Sequence, residues 1–317
     1  MRFIRGDARR HAFMAALVGC ALVAAACGGG TDAGGGGGGA TEEVERGSVI
    51  VGSTNFDEQE IVASMYAAVL EESGYEVERR FQLGAREIVL PALEKGDIDL
   101  YPEYVGTALE FLNGGQGEAT PDTDETTEKL REAFAEKDVD VLEPAPAQDK
   151  NGLVVTPETA DEHSLSAVSD LEPVASDLIF GGPPECPERP LCLPGYEETY
   201  GLDFKEFRPL DAGGPLTTAA LENGDIDVAL MFTTDGLIAE KGWMLLEEDK
   251  ELQPAENIVP VIRSEANNEE IPELLNAVSE KLTTEEVTEL VRQVRVDQED
   301  PADVAETWLE DNGFLGG

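Results

Sequence analysis

Two hydrophobic rhythms alternate along the chain. Residues 48–53 (SVIVGS) form a short apolar run that predicts a buried strand. Asn55 then reads as a helix N-cap, with Glu58 three residues on as in a capping box. Ile61, Val62, Met65, Val69 and Leu70 follow at helical spacing until Gly74 stops the helix. Residues 75–83 predict a second strand, and residues 88–94 a helix that leads into a third strand beginning at Ile98. Strand, helix, strand, helix, strand is the order of a parallel α/β sheet.

The rhythm then breaks and restarts. Residues 113–127 are polar and read as loop, residues 129–137 as a short helix, and Pro144 and Pro146 mark a crossing. A second α/β unit begins near Gly152-Leu-Val-Val-Thr and runs through residues 178–181 and 204–210. Beyond Asp235 the chain crosses back. Residues 258–262 predict a strand, and residues 271–282 and 285–296 amphipathic helices, the latter burying Val287, Leu290, Val291 and Val294. Asp300-Pro301 opens a last helix with Val304, Trp308 and Leu309 on its inner face. These helices have no strands of their own to cover, so they complete the first lobe. The expected division is 48–149 with 234–317 as lobe 1, and 150–233 as lobe 2, with the two crossings as a hinge.

An internal echo supports two similar lobes. Ala92-Leu-Glu-Lys-Gly-Asp-Ile-Asp-Leu100 returns as Ala220-Leu-Glu-Asn-Gly-Asp-Ile-Asp-Val228. Each copy reads as a helix end, a glycine stop and a strand, and each is followed by an aromatic and a threonine: Tyr104 and Thr107, then Phe232 and Thr233. Asp97, Asp99, Asp225 and Asp227 read as turn or cap residues. In open α/β sheets ligands sit beyond the carboxyl ends of strands, so the expected site lies between the lobes.

The first 47 residues stand apart. Arg2, Arg5, Arg9 and Arg10 precede an apolar run over residues 12–26, the order of an export signal and too short to span a bilayer. Ala25-Ala26-Cys27 and the glycines after it resemble a bacterial lipoprotein signal: residues 1–26 as signal peptide, Cys27 as the lipidated residue, and residues 27–47 as a flexible tether. Cys20 offers a second such site but would leave apolar residues 21–26 on the mature end. The expected location is extracytoplasmic, anchored by lipid to the outer face of the cell membrane.

Net charge is −45 in 317 residues, and removing the arginine-rich signal makes it more negative. Such a surface repels nucleic acid and anionic membrane, and it suits a habitat of high salt, where self-repulsion is screened. With 41% hydrophobic residues and clear periodicity the chain is no disordered acidic tail. Cys186 and Cys192 are the remaining cysteines, and export favours a disulfide between them, holding Arg189 in the loop they enclose. His163 lies in a polar stretch and has no companion ligand, so neither a metal site nor a cofactor is expected. Gly181-Gly-Pro-Pro and Gly213-Gly-Pro lack the lysine and hydroxyl of a phosphate loop. No catalytic constellation is visible, so the chain reads as a binder rather than an enzyme.

Three motifs carry a resemblance. Val51-Gly-Ser-Thr-Asn-Phe-Asp-Glu-Gln59, Gly96-Asp-Ile-Asp-Leu-Tyr-Pro-Glu-Tyr-Val-Gly-Thr107 and Asn223-Gly-Asp-Ile-Asp-Val-Ala-Leu-Met-Phe-Thr-Thr-Asp235 resemble the glycine betaine/choline-binding proteins of osmoprotectant ABC importers. The resemblance spans 48–317 and implies a two-lobed periplasmic-binding fold of type II. It implies a small quaternary ammonium ligand, and an ABC permease with its ATPase as partners. It also implies an aromatic cage, since cation–π attraction suits a cation with no N–H to donate. The implied ligand set is Thr54, Asn55, Tyr104, Thr107, Asp149, Asn151, Arg189, Thr218, Phe232 and Thr233. Tyr104 and Phe232 are expected to clamp the cation from opposite lobes, and Arg189 with Thr107 to take a carboxylate, which suits glycine betaine better than choline. Thr54 departs from a lysine common in the family, and Asn151 and Thr218 stand where cage tyrosines commonly sit, leaving Tyr66 or Tyr101 to fill in. The alternative on the same fold is a receptor for another small polar osmolyte or amino acid, or one that feeds a sensor.

Overall fold

The computed structural model describes residues 46–316. The signal (1–26), nearly all of the tether (27–47) and the lipidation at Cys27 lie outside them. In chain order the elements are β1 (Ser48–Gly52), α1 (Asp57–Glu72), β2 (Glu76–Arg80), α2 (Arg86–Lys95), β3 (Leu100–Tyr104), α3 (Val105–Asn113), α4 (Thr123–Ala135) and β4 (Val139–Val141). Then follow β5 (Asn151–Val155), α5 (Pro157–His163), β6 (Ile179–Gly182), α6 (Leu193–Tyr200), β7 (Glu206–Pro209), α7 (Pro215–Glu222), β8 (Val228–Phe232), α8 (Leu237–Glu240) and β9 (Met244–Leu245). The chain ends with β10 (Ile258–Arg263), α9 (Glu270–Lys281), α10 (Thr284–Arg295) and α11 (Pro301–Asp311).

Two five-stranded sheets result, ordered β2-β1-β3-β10-β4 and β7-β6-β8-β5-β9. In the first, β1 runs parallel to β2 and β3, while the returning β10 is antiparallel to β3 and β4. The second repeats the plan, with β6 parallel to β7 and β8 and β5 antiparallel to β8. Both sheets are therefore mixed rather than purely parallel, because the strand that re-enters each sheet arrives from the other side. Strand β9 pairs with β5, so the chain stays with the second sheet past residue 234 and crosses back through residues 246–257.

Each face of the first sheet is covered. Apolar residues of α1, α9, α10 and α11 close one side around Tyr66, Leu70, Leu275 and Leu309. Residues of α2, α3 and α4, among them Leu93, Leu109 and Phe134, close the other. Each such aliphatic side chain taken from water contributes about 1.5–3 kcal/mol. The C-terminal helices thus pack on the first sheet.

The echoed joints build the same corner twice. Asp99 Oδ2 accepts from Ile50 N at 2.9 Å, and Asp227 Oδ2 accepts from Ile179 N at 2.8 Å. Ile98 packs where a Cβ on Gly52 would lie 2.6 Å away, and Ile226 meets Gly181 at the same 2.6 Å. Arg80 and Arg208 donate to the carbonyls of Asp97 and Asp225 respectively. The aspartates therefore tie each helix-to-strand joint to the neighbouring strand and take no part in the cleft.

Two local expectations are corrected. Helix α1 begins at Asp57 with Phe56 at its N-cap and no side-chain cap, and Asn55 is exposed. Glu58 is spent elsewhere, as described below. Helix α4 starts at Thr123, earlier than the apolar pattern indicated, because the Asp122 side chain accepts from Glu125 N.

Candidate functional site

The carboxyl ends of β1, β3, β6, β7 and β8, with the N-termini of α2 and α3, surround a cleft of about 450 Å³. Thr54, Asn55, Tyr104, Thr107, Asp149, Asn151, Arg189 and Phe232 all line it. Thr218 and Thr233 lie outside its wall. Thr218 Oγ1 accepts from Arg295 at 3.3 Å, and Thr233 Oγ1 accepts from Lys150 N at 2.9 Å while facing Asp149. Both hydroxyls are therefore engaged in joining segments of the fold. Tyr66 and Tyr101 do not complete a cage either, since both are fully buried in the core on opposite faces of the first sheet.

The ring that fills the gap is Phe56. It stacks on Phe232 with centroids 4.8 Å apart and planes 27° apart, and faces Tyr104 at 6.2 Å and 21°. Tyr104 and Phe232 are thus not an open clamp. Phe56 bridges them into one aromatic wall that crosses from one sheet to the other. The sequence signal lies in the Thr-Asn-Phe-Asp motif, where Asn55 and Glu58 also fit a capping box.

The cleft is acidic. Glu87, Glu103, Glu110, Asp149, Glu185, Glu188, Asp211 and Glu256 line it, against Arg86 and Arg189. Both guanidiniums are occupied by carboxylates of the protein. Arg86 donates to Glu103 Oε1 and Oε2 at 2.7 Å each and to Thr107 Oγ1 at 2.8 Å. Burial opposes its charge, yet the Glu103 carboxylate outweighs burial and holds the Arg86 pKa above its usual range. Arg189 donates from Nε to Glu87 Oε1 at 3.1 Å and from Nη2 to Glu87 Oε2 at 2.9 Å. Burial alone would raise Glu87, but the two Arg189 hydrogen bonds prevail and lower it.

Arg189 stands in a turn closed by the Cys186–Cys192 disulfide. Its N–H donates to the Cys186 carbonyl at 3.3 Å, and Cys192 N–H donates to its carbonyl at 3.0 Å. The loop therefore fixes the backbone from which Arg189 reaches across to α2.

Behind the aromatic wall lies a buried acidic pair. Tyr104 donates to Glu58 Oε1 at 2.6 Å, and the Thr234 hydroxyl donates to Glu58 Oε2. Thr234 N donates to Asp149 Oδ1 at 3.2 Å. Burial first pushes Glu58 and Asp149 above the usual carboxylate range, with Asp235 as a further cause for Glu58 and Glu58 as a further cause for Asp149. This network joins α1, β3, the first chain crossing and the turn after β8, and none of its charge logic was visible along the sequence.

Two polar atoms in the lining have no hydrogen-bond partner: Thr54 Oγ1 and Glu256 Oε1. Glu256 comes from the second crossing, and its other oxygen accepts from Thr107 N at 3.1 Å. Burial raises its pKa to about 8. An unpaired buried polar atom is costly, and both are shut off from solvent.

Two sheets around a cleft with an aromatic wall are the frame of a solute-binding receptor. The chain belongs to the OpuAC family, the substrate binding domain of ABC-type glycine betaine transport systems, whose description matches residues 47–311. It is 26% identical over 277 residues to the glycine betaine-binding protein YehZ of Escherichia coli (strain K12), covering 84% of this chain and 91% of that protein. It is 28% identical over 278 residues to a glycine-betaine-binding protein of Pseudomonas aeruginosa, covering 84% and 88%. Among solved structures, a glycine betaine/carnitine/choline ABC transporter aligns at a TM-score of 0.66 and 26% identity, over 85% of this chain and all of that one. The family acts outside the cytoplasm as a receptor for substrate and is not enzymatic.

Proposed function

We propose that the receptor captures a quaternary ammonium osmoprotectant, the class to which glycine betaine belongs, in the cleft between its lobes. It then delivers the compound to an ABC permease driven by its ATPase, from a position tethered to the membrane by lipid on Cys27. The observation that supports this reading is the aromatic wall of Tyr104, Phe56 and Phe232 in an acidic cleft. A trimethylammonium group has no proton to donate, so it is recognised by π faces and by surrounding negative charge, each good ring contact adding about 0.5–2 kcal/mol. The relatives named for glycine betaine support the same class.

Closure follows from the contacts between lobes. Arg189 meets Glu87 at the mouth, and Arg295 of α10 donates to the Gly213 carbonyl at 2.8 Å beside Asp235. Ligand that touches both sides adds to these contacts only in the closed form, and so shifts the population towards it. A thermal-shift panel of glycine betaine, proline betaine, carnitine, choline, ectoine and proline tests the reading. A true ligand at 100 times its Kd adds about 2.7 kcal/mol of stability. Melting shifts with ectoine or proline and none with a quaternary ammonium compound would refute the ligand class.

A further inference from the structure

We propose that Glu87 is a specificity determinant: by occupying Arg189 from across the cleft it takes the place of a ligand's carboxylate, and the cleft selects organic cations that lack one. The inference rests on the quaternary ammonium reading above and narrows it.

The argument starts from geometry. Arg189 is the more exposed of the two lining guanidiniums, and two of its nitrogens already donate to the two oxygens of Glu87. A bidentate guanidinium–carboxylate pair is the arrangement a ligand carboxylate would itself seek. The other lining guanidinium, Arg86, is held in the same way by Glu103 and is deeper and more buried. A zwitterion entering this cleft must therefore break a pair before its carboxylate finds a partner. Breaking the Arg189 pair also leaves Glu87 facing the incoming carboxylate, a juxtaposition of like charges that disfavours that ligand.

A cation without a carboxylate meets none of these obstacles. It leaves the pair intact, and the pair in turn holds the lobes together over it. The excess of carboxylates in the lining favours its charge over a neutral or zwitterionic ligand.

Glu87 lies in the first turn of α2 and remains one-third exposed, so its replacement leaves the core untouched. Calorimetric titration of choline and glycine betaine into the wild type and Glu87→Gln tests the proposal. Wild type is expected to bind choline at least tenfold more tightly than glycine betaine. In Glu87→Gln, glycine betaine should gain at least fivefold while choline changes less than threefold. A wild-type preference for glycine betaine, a variant in which glycine betaine gains nothing, or a gain shared equally by both ligands overturns the role of Glu87. If neither compound binds either protein, the quaternary ammonium reading fails and this proposal fails with it.

Discussion

Phe56, at the start of α1, lies with its ring 4.8 Å from that of Phe232, at the end of β8. One side chain belongs to each sheet, so the contact exists only while the lobes are together. A ligand cation held against this wall shares its surface with the closing contact itself. Replacing Phe56 by alanine should therefore weaken binding of a quaternary ammonium ligand at least tenfold, about 1.4 kcal/mol. The folded state should lose little by comparison, because Phe56 is only partly buried. Titration and chemical denaturation of the same variant separate the two effects. Unchanged affinity would show that the wall does not contact the ligand.

Tyr104 has two separable roles. Its ring faces the cleft and its hydroxyl donates to buried Glu58. Tyr104→Phe keeps the π face and removes one donor from a buried carboxyl. The expected cost is about 1–3 kcal/mol of folding stability, with ligand affinity held within threefold. Tyr104→Ala should lose both. A phenylalanine variant that folds normally but binds tenfold more weakly would mean the hydroxyl, not the ring, meets the ligand.

How far the sequence reached depended on whether the signal was local. The elements, the two sheets and the assignment of the last helices to the first sheet follow from periodicity, which each segment carries within itself. The echoed Gly-Asp-Ile-Asp joints were legible because the same corner is built twice, by Asp99 on Ile50 and by Asp227 on Ile179. Pairings made across the fold were not legible. Nothing near Arg189 in the chain points to Glu87, and nothing near Glu58 points to Thr234. Phe56 was missed for another reason: its position beside Asn55 fitted a helix-cap pattern, and a plausible local role concealed a tertiary one. Thr218 stands at a position implied by the family resemblance, whereas Arg295, far along the chain, takes its hydroxyl.

The Cys186–Cys192 bridge closes a short loop, so its stabilisation through chain entropy is modest, roughly 2 kcal/mol. A double replacement by serine should lower stability by about that amount, plus the cost of placing two hydroxyls at buried positions. Its effect on Arg189 is more specific. With the turn loosened, the Arg189–Glu87 contact should form less often and closure should weaken. Denaturant melts with and without reductant, read beside ligand titrations, measure both. Equal ligand affinity in reduced and oxidised protein would show that packing alone positions Arg189.

Glu256 gives the molecule a pH dependence of definite sign. Burial raises it to about 8, well above the ordinary carboxylate value near 4.3 to which it reverts on unfolding. A carboxyl raised in the folded state is comfortable there only when protonated. Its contribution is complete below about pH 4.3 and is lost progressively as pH rises through 8. Glu58, raised by burial and by nearby Asp235, and Asp149, raised by burial and by Glu58, act in the same direction. The wild type should therefore lose stability between pH 5.5 and 8.5, and Glu256→Gln should lose at least about 1 kcal/mol less over that range. Binding should run the other way. A cation beside Glu256 favours the carboxylate, so its affinity should increase as pH rises towards 8, with release of a proton on binding at pH 7. Titrations in two buffers of different ionisation heat count that proton directly. Proton uptake, or affinity that falls as pH rises, would place the ligand's charge away from Glu256.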